Sequence, residues 1–198
     1  GFYGHRLNLY RRTVPHAGFA ILREIGESLP RGAFVFTSNV DGHFAKAGFA
    51  AERIAECHGS IHFLQCLDGC HQGIWPADDF QPALDEEQCL LTSEFPLCPR
   101  CHGIARPNIL MFGDWGWLAE RSDAQEARLH AWRRQVDRLL VIEVGAGTNI
   151  PTARLMGERM NGPLIRINPT QAQVADDKNV AVAAGALAAL RSIAASLV

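Results

Sequence analysis

No stretch of this sequence approaches the roughly 18 consecutive apolar residues that a membrane-spanning helix requires, and no secretory leader is visible at its start. An excess of one charge is missing too. Lys and Arg number 19 against 21 Asp and Glu, a formal net charge of −2. A general binder of nucleic acid or of an anionic membrane surface needs a basic field, so neither partner is expected. There is no internal repeat, low-complexity tract or interdomain linker. What remains is a chain of ordinary globular composition, 47% hydrophobic and 20% charged over 198 residues. That length suits one domain, or a core domain carrying a small module. A reducing, cytoplasmic setting is the expectation. The chain opens on Gly1 and runs straight into Phe2-Tyr3-Gly4-His5-Arg6, which reads as the interior of something longer.

Six cysteines are present, and four of them form two close pairs: Cys66-Leu-Asp-Gly-Cys70 and, after 27 intervening residues, Cys98-Pro-Arg-Cys101. An even count permits a disulfide framework, but close pairs in a chain without secretory features fit a metal better. Four thiolates at this spacing match a closed tetrahedral zinc site with no open position for substrate, hence a structural role. Residues 67–99 are rich in Asp, Glu, Pro, Gly and Gln and have no sustained period. Such a stretch buries little apolar surface, and a metal would supply the missing constraint. His71 and His102 each adjoin a cysteine and could replace one, and Cys89 is a rival to Cys70. Cys57 reads as a small buried residue.

Elsewhere the periodicity predicts helix over 2–29, broken at Pro15. A short buried strand follows at 33–37, then a polar segment over 43–56 with a turn at Gly48. Strands are expected at 61–65 and at 109–112, and an amphipathic helix over 119–138. Leu139-Leu-Val-Ile-Glu-Val144 is the strongest strand and leads into Gly145-Ala146-Gly147-Thr148, with Pro151 where the next helix begins. A helix over 152–160, a strand over 164–167 and a closing helix over 183–197 complete the pattern. Strand–helix alternation of this kind predicts an α/β fold with a doubly wound, parallel, Rossmann-like sheet. The small zinc-binding module would be inserted in it over residues 62–106.

Three strand ends then offer polar groups to one sheet edge, where open α/β sheets bind ligands. They are Ser38, Asn39 and Asp41 after the first strand, the loop Gly145–Thr148, and Asn168. The loop can present backbone N–H groups to a phosphate or ribose. Taken singly, each of these is also an ordinary turn residue.

In chain order, Thr37-Ser-Asn-Val-Asp-Gly42, Cys57-His58-Gly59-Ser60, the two cysteine pairs, Arg106-Pro-Asn-Ile-Leu-Met-Phe-Gly-Asp114 and Leu164-Ile-Arg-Ile-Asn168 resemble the successive motifs of the sirtuins, the NAD-dependent protein deacylases. The resemblance covers roughly residues 30 to 190. It implies a single catalytic domain over 1–198, partial at its N-terminus. It also implies NAD as co-substrate, one structural zinc ion, and an acyl-lysine protein or peptide as substrate. The acyl oxygen would attack the nicotinamide ribose, an alkylimidate would form, and O-acyl-ADP-ribose would leave. His58 would be the general base on a ribose hydroxyl. Asn39 and Asp41 would hold nicotinamide and its ribose, and Ser38, Gly145, Ala146, Gly147, Thr148 and Asn168 the rest of the cofactor. Leu110, Phe112, Gly113 and Asp114 would pair with substrate backbone by strand addition.

Some positions depart from the family pattern. The family's N-terminal Gly-Ala-Gly nucleotide loop has no counterpart here, so weak NAD binding and an exposed sheet position are expected of the chain. Ser38 replaces a glutamine, His43-Phe44 replaces Leu-His, and Asp114 replaces a glutamate. Ala146 and Gly147 replace hydroxyl residues, and Asp114-Trp-Gly-Trp117 is an unusual continuation. Two alternatives therefore stand beside deacylation: ADP-ribosyl transfer or NAD hydrolysis in the same pocket, and non-catalytic binding of NAD or ADP-ribose.

Overall fold

The computed structural model describes residues 1–197. Pro15 cannot donate to a helical ladder, and the N-terminal helical run divides there into α1 (Phe2–Arg12) and α2 (Ala17–Glu27). His16 caps α2, its Nδ1 accepting from the Gly18 N–H at 3.0 Å. β1 (Val35–Thr37) pairs in parallel with β2 (Ile54–Glu56), and the short helix α3 (His43–Lys46) lies between them. Periodicity missed β2 inside the polar segment, because three residues carry no period. What makes it a strand is burial under α4 (Glu120–Arg133). From that helix the Gln125 side chain accepts the Glu56 N–H at 3.0 Å, and the Ser122 hydroxyl donates to the Glu56 carbonyl at 2.8 Å.

β3 (Gly59–Cys66) runs antiparallel between β4 (Ile74–Pro76) and β7 (Ala105–Ile109). A two-rung hairpin, β5 (Leu84–Asp85) and β6 (Leu90–Leu91), occupies the loop between the cysteine pairs. The expected strand at 109–112 lies earlier in the chain. β7 ends at Ile109, and Met111 to Asp114 form a turn closed by the Asp114 N–H to the Met111 carbonyl at 3.2 Å. The ladder with β3 fixes this register, setting Cys66 opposite Ala105 and Gly59 opposite Ile109, with a bulge between.

The C-terminal third alternates as expected: β8 (Val141–Val144), α5 (Thr152–Arg159), β9 (Leu164–Ile167), then β10 (Val180–Val182), which the sequence did not suggest, and α6 (Ala186–Ala195). These strands are parallel in the order β10-β9-β8. Ile167, Ala189 and Leu190 form their core, with Ile21 and Leu22 of α2 packed against it. Glu143 and Arg166 face each other across β8 and β9, paired at 2.6 Å, and Arg166 also reaches Glu158 of α5 at 2.9 Å. A buried charge needs such partners. The molecule is thus α/β with parallel sheets, divided into a two-stranded and a three-stranded piece. Among the described residues, β1 pairs only with β2, and β8 only with β9.

Gly59 is required at the head of β3. Its φ is +77°, and a Cβ there would lie 2.0 Å from the Asn108 carbonyl oxygen. Gly59→Ala should therefore destabilise the fold by more than about 1 kcal/mol, the ordinary size of a favourable glycine replacement reversed. Thermal or denaturant unfolding checks it.

Candidate active site and metal centre

His58 sits between the two parallel pieces. Its Nε2 lies 3.2 Å from the Thr152 hydroxyl at the start of α5, a residue 94 positions away. The Ser38 backbone, just after β1, faces the same ring and favours its charged form. Burial pushes the imidazole below its ordinary value of 6.5, and the Ser38 backbone opposes this only in part. A neutral, oriented imidazole is the form a general base requires. Neighbouring Cys57 is a different case: burial and the nearby Glu126 carboxylate push its thiol up to about 12, which leaves it inert.

The predicted polar residues gather in two groups. In the first, Asn39 is exposed and its N–H donates to the Thr37 hydroxyl at 3.1 Å. The Asp41 carboxylate accepts the His43 N–H at 2.9 Å, and its carbonyl meets His62 Nε2 at 2.9 Å. In the second, Asn168 is buried and its amide Nδ2 donates to the Ala146 carbonyl at 3.2 Å. Its Oδ1 accepts from the N–H groups of Thr170 and Gln171 at 3.0 and 2.9 Å. Gly145 turns the chain after β8 with φ +71°, and the Thr148 N–H donates to the Gln171 side chain at 3.0 Å. Arg154, which sequence reasoning passed over, draws this loop together by donating to the Gln171 carbonyl at 3.0 Å and the Gln173 carbonyl at 3.2 Å. Its only signal in the sequence is a basic residue one turn into a helix that follows a glycine loop.

The four paired cysteines converge. The sulfur atoms of Cys66, Cys70, Cys98 and Cys101 all lie within 4.8 Å of one another, and none is in a disulfide. Cys66 and Cys101 are 3.7 Å apart, and Cys70 and Cys98 are 3.6 Å apart. A tetrahedron with zinc–sulfur bonds of about 2.3 Å has edges of about 3.8 Å, so the donor set fits that ion. Burial pushes the Cys98 thiol up, but the backbone N–H groups of Cys101 and Arg100 and the neighbouring Cys70 and Cys101 sulfurs bring it down, while burial and the same cluster of sulfurs raise Cys70. The downward shift at Cys98 favours the thiolate a metal needs. His71 Nε2 lies 3.4 Å from the Cys98 sulfur, beside the cluster rather than in it, and Cys89 is exposed in the β5–β6 hairpin.

The 110–114 segment starts at the candidate base, since the Leu110 N–H donates to the His58 carbonyl at 3.0 Å. Phe112 is almost wholly exposed. Asp114 is turned inward onto Arg106, which also donates to the Ile109 carbonyl at 2.9 Å. Those bonds hold the Asp114 carboxyl below the usual carboxylate range. Its role in this arrangement is to shape the loop from within.

The family model described as the Sir2 family matches residues 1–147. The chain belongs to the Sir2 family. It is 35% identical over 142 residues to NAD-dependent protein deacetylase hst2-2 of Emericella nidulans, covering 71% of this chain and 34% of that protein. It is 30% identical over 162 residues to a probable bifunctional ADP-ribose hydrolase/ADP-ribosyltransferase of Fusarium oxysporum f. sp. cubense, covering 76% of this chain and 27% of that one. This Sir2-family chain thus spans about a third or less of these two relatives. Among solved structures, a Sir2 homologue in complex with ADP-ribose is similar with a TM-score of 0.71 at 19% identity, over 99% of this chain and 72% of that chain. At that identity the likeness establishes the fold.

Two outcomes follow. The purified protein should carry close to one equivalent of zinc, and Cys98→Ser should lower both that content and the melting temperature, measured by elemental analysis and calorimetry. Asp114→Asn should cost about 2 kcal/mol, the scale of a hydrogen bond to a charged group. Because the folded-state pKa of Asp114 is depressed, its contribution is complete above about pH 4 and is lost as the pH falls further. Denaturant unfolding of wild type and variant against pH should converge on the acid side.

Proposed function

We propose that this protein is an NAD-dependent protein-lysine deacylase, releasing nicotinamide and O-acyl-ADP-ribose, with His58 as the catalytic base. The observation that carries this is the placement of a neutral His58 between the Ser38 backbone and the Thr152 hydroxyl, at the junction of the two parallel pieces. NAD, when bound, supplies the electrophilic ribose carbon and its nicotinamide leaving group. His58 Nε2 takes a proton from a ribose hydroxyl, and Thr152 keeps that nitrogen aimed into the site. Ser38, Asn39 and Asp41 line the nicotinamide side of the crevice, and Gly145–Thr148 with Asn168 the adenosine side. The Asn168–Ala146 bond supports this, since it fixes the loop beside that strand end.

The substrate is an acyl-lysine peptide lying along Leu110, Phe112 and Gly113, with Asp114 holding the turn. Cys66, Cys70, Cys98 and Cys101 would hold one zinc ion whose role is to fold residues 62–106, a module within one catalytic domain over 1–198. Closed four-thiolate ligation leaves no position for substrate. Six free cysteines support a reducing, cytoplasmic location. No helix among the described residues is long and apolar enough to cross a membrane.

Nicotinamide release on an acetyl-lysine peptide tests the proposal. His58→Ala should lower the rate by about 10²- to 10⁴-fold, the usual weight of a general base, and activity that survives the substitution removes His58 from the role. The acid limb of the rate profile should have its midpoint below pH 6.5, since burial lowers the pKa of the base and activity falls only once the ring is protonated.

A second reading is ADP-ribosyl transfer or NAD hydrolysis in the same pocket, and the Fusarium relative favours it. Mass spectrometry separates the two. O-acyl-ADP-ribose marks deacylation, ADP-ribosylated protein or free ADP-ribose marks the second reading, and binding without turnover marks a non-catalytic module.

A further inference from the structure

The loop after β7 is anchored by two residues that face each other across the β3–β7 ladder. Gln65 and Arg106 are register partners, one rung from Cys66 and Ala105. Arg106 grips the near end of the loop through Asp114 and the Ile109 carbonyl. Gln65, only 1% exposed, takes the far end. Its Nε2 donates to the Gly116 carbonyl at 2.7 Å, and its Oε1 accepts the Leu118 N–H at 3.1 Å. Buried Asn108 completes the set, its Nδ2 donating to Gln65 Oε1 and to the Leu118 carbonyl, both at 2.9 Å. A buried amide pair is costly when its bonds are only partly made. Asn108 Oδ1 has no partner, but both ends of the buried Gln65 amide are bonded, so another conformation of residues 114–118 would strip Gln65 of the bonds it makes to Gly116 and Leu118.

Between these anchors the loop exposes its largest side chains. Phe112 is 92% exposed and Trp115 99% exposed. Apolar rings held out in water by a segment pinned at both ends are the form of a contact surface, and buried Trp is the commonest anchor of such surfaces. The loop's start identifies the occupant. Leu110 bonds the His58 backbone, so the loop leaves the sheet beside the candidate base, next to any peptide whose acyl-lysine reaches His58. The carboxylate beside Trp115, Asp114, is neutralised by Arg106, so no free negative charge next to the ring favours a cation over a hydrocarbon.

We propose that Gln65, together with Asn108, is a positioning residue for the reaction, and that the Trp115 ring it holds contacts an apolar side chain flanking the acyl-lysine. The identity of the acyl-lysine rests on the deacylase reading; the loop geometry does not. The experiment measures the affinity of fluorescently labelled acetyl-lysine peptides bearing leucine or glycine on both sides of the modified residue. Wild type, Trp115→Ala, Gln65→Met and the double variant are compared, with hydrogen exchange of the Leu118 amide followed in each.

Wild type should prefer the leucine peptide by about tenfold, the effect of one well-placed aromatic contact. Trp115→Ala should abolish the preference, Gln65→Met should weaken it, and the double variant should lose no more than Trp115→Ala alone, because the two act through one contact. Exchange at Leu118 should quicken in Gln65→Met and stay unchanged in Trp115→Ala. Trp115 is fully exposed, so its removal leaves the fold intact and the test decisive even when Gln65→Met does not fold. Equal affinity of wild type for both peptides, or a preference retained by Trp115→Ala or by a folded Gln65→Met, overturns the proposal. Trp115-dependent binding without nicotinamide release supports it while sinking the deacylase reading.

Discussion

The antiparallel pairing of β3 with β7 is the constraint on which the site depends. One strand begins at Gly59, directly after His58, and ends at Cys66 of the four-cysteine cluster. The other runs from Ala105 opposite that cysteine to Ile109 opposite the glycine. The ladder therefore sets the spacing between the candidate base, the cysteine cluster and the loop after β7 in a single register. A slip by one residue would turn every side chain on it to the other face. Gly59 permits the close approach of the two strands at one end. The cysteine cluster ties the chain together at the other.

Charge is managed in the interior by pairing across elements. Glu56 meets Arg121 of α4, Glu143 meets Arg166 on the adjoining strand, and Asp114 meets Arg106. Each pair joins two segments distant in sequence, apart from the last, which closes a turn. Buried pairs of this kind are expensive to break from one side, so they specify arrangement more than they add stability. Arg121 also lies over the Phe63 ring at 4.0 Å, joining α4 to β3. Helix α4 and strand β2 are thereby fastened to the strand that leads into the cysteine cluster.

Much of the site was legible in the sequence because its signals are local. Paired cysteines at fixed spacing, a histidine before Gly-Ser, and a glycine loop after an apolar strand need no tertiary knowledge to be noticed. The structure brings the four sulfurs together, and it places His58 against Ser38 and Thr152. What escaped was carried by residues whose role lies in their partners. Gln65 and Asn108 read as unremarkable strand residues until their amides are seen to hold Gly116 and Leu118. Nothing in the local sequence shows that the Asp114 carboxylate would point back to Arg106. β2 and β10, of three residues each, were too short to show a period.

Sequence by itself determined the family, the helix break at Pro15, the strand-and-helix alternation of the last third and which four cysteines pair off along the chain. Each of these depends on residue type and on spacing along one stretch of chain. Only the tertiary structure decided that β7 stops at Ile109, that the parallel strands fall into two pieces, and that Thr152 meets His58 from 94 residues away. Those outcomes depend on which backbone groups find partners across the fold. Hydrogen bonding between distant segments has no signature in the local order of residues.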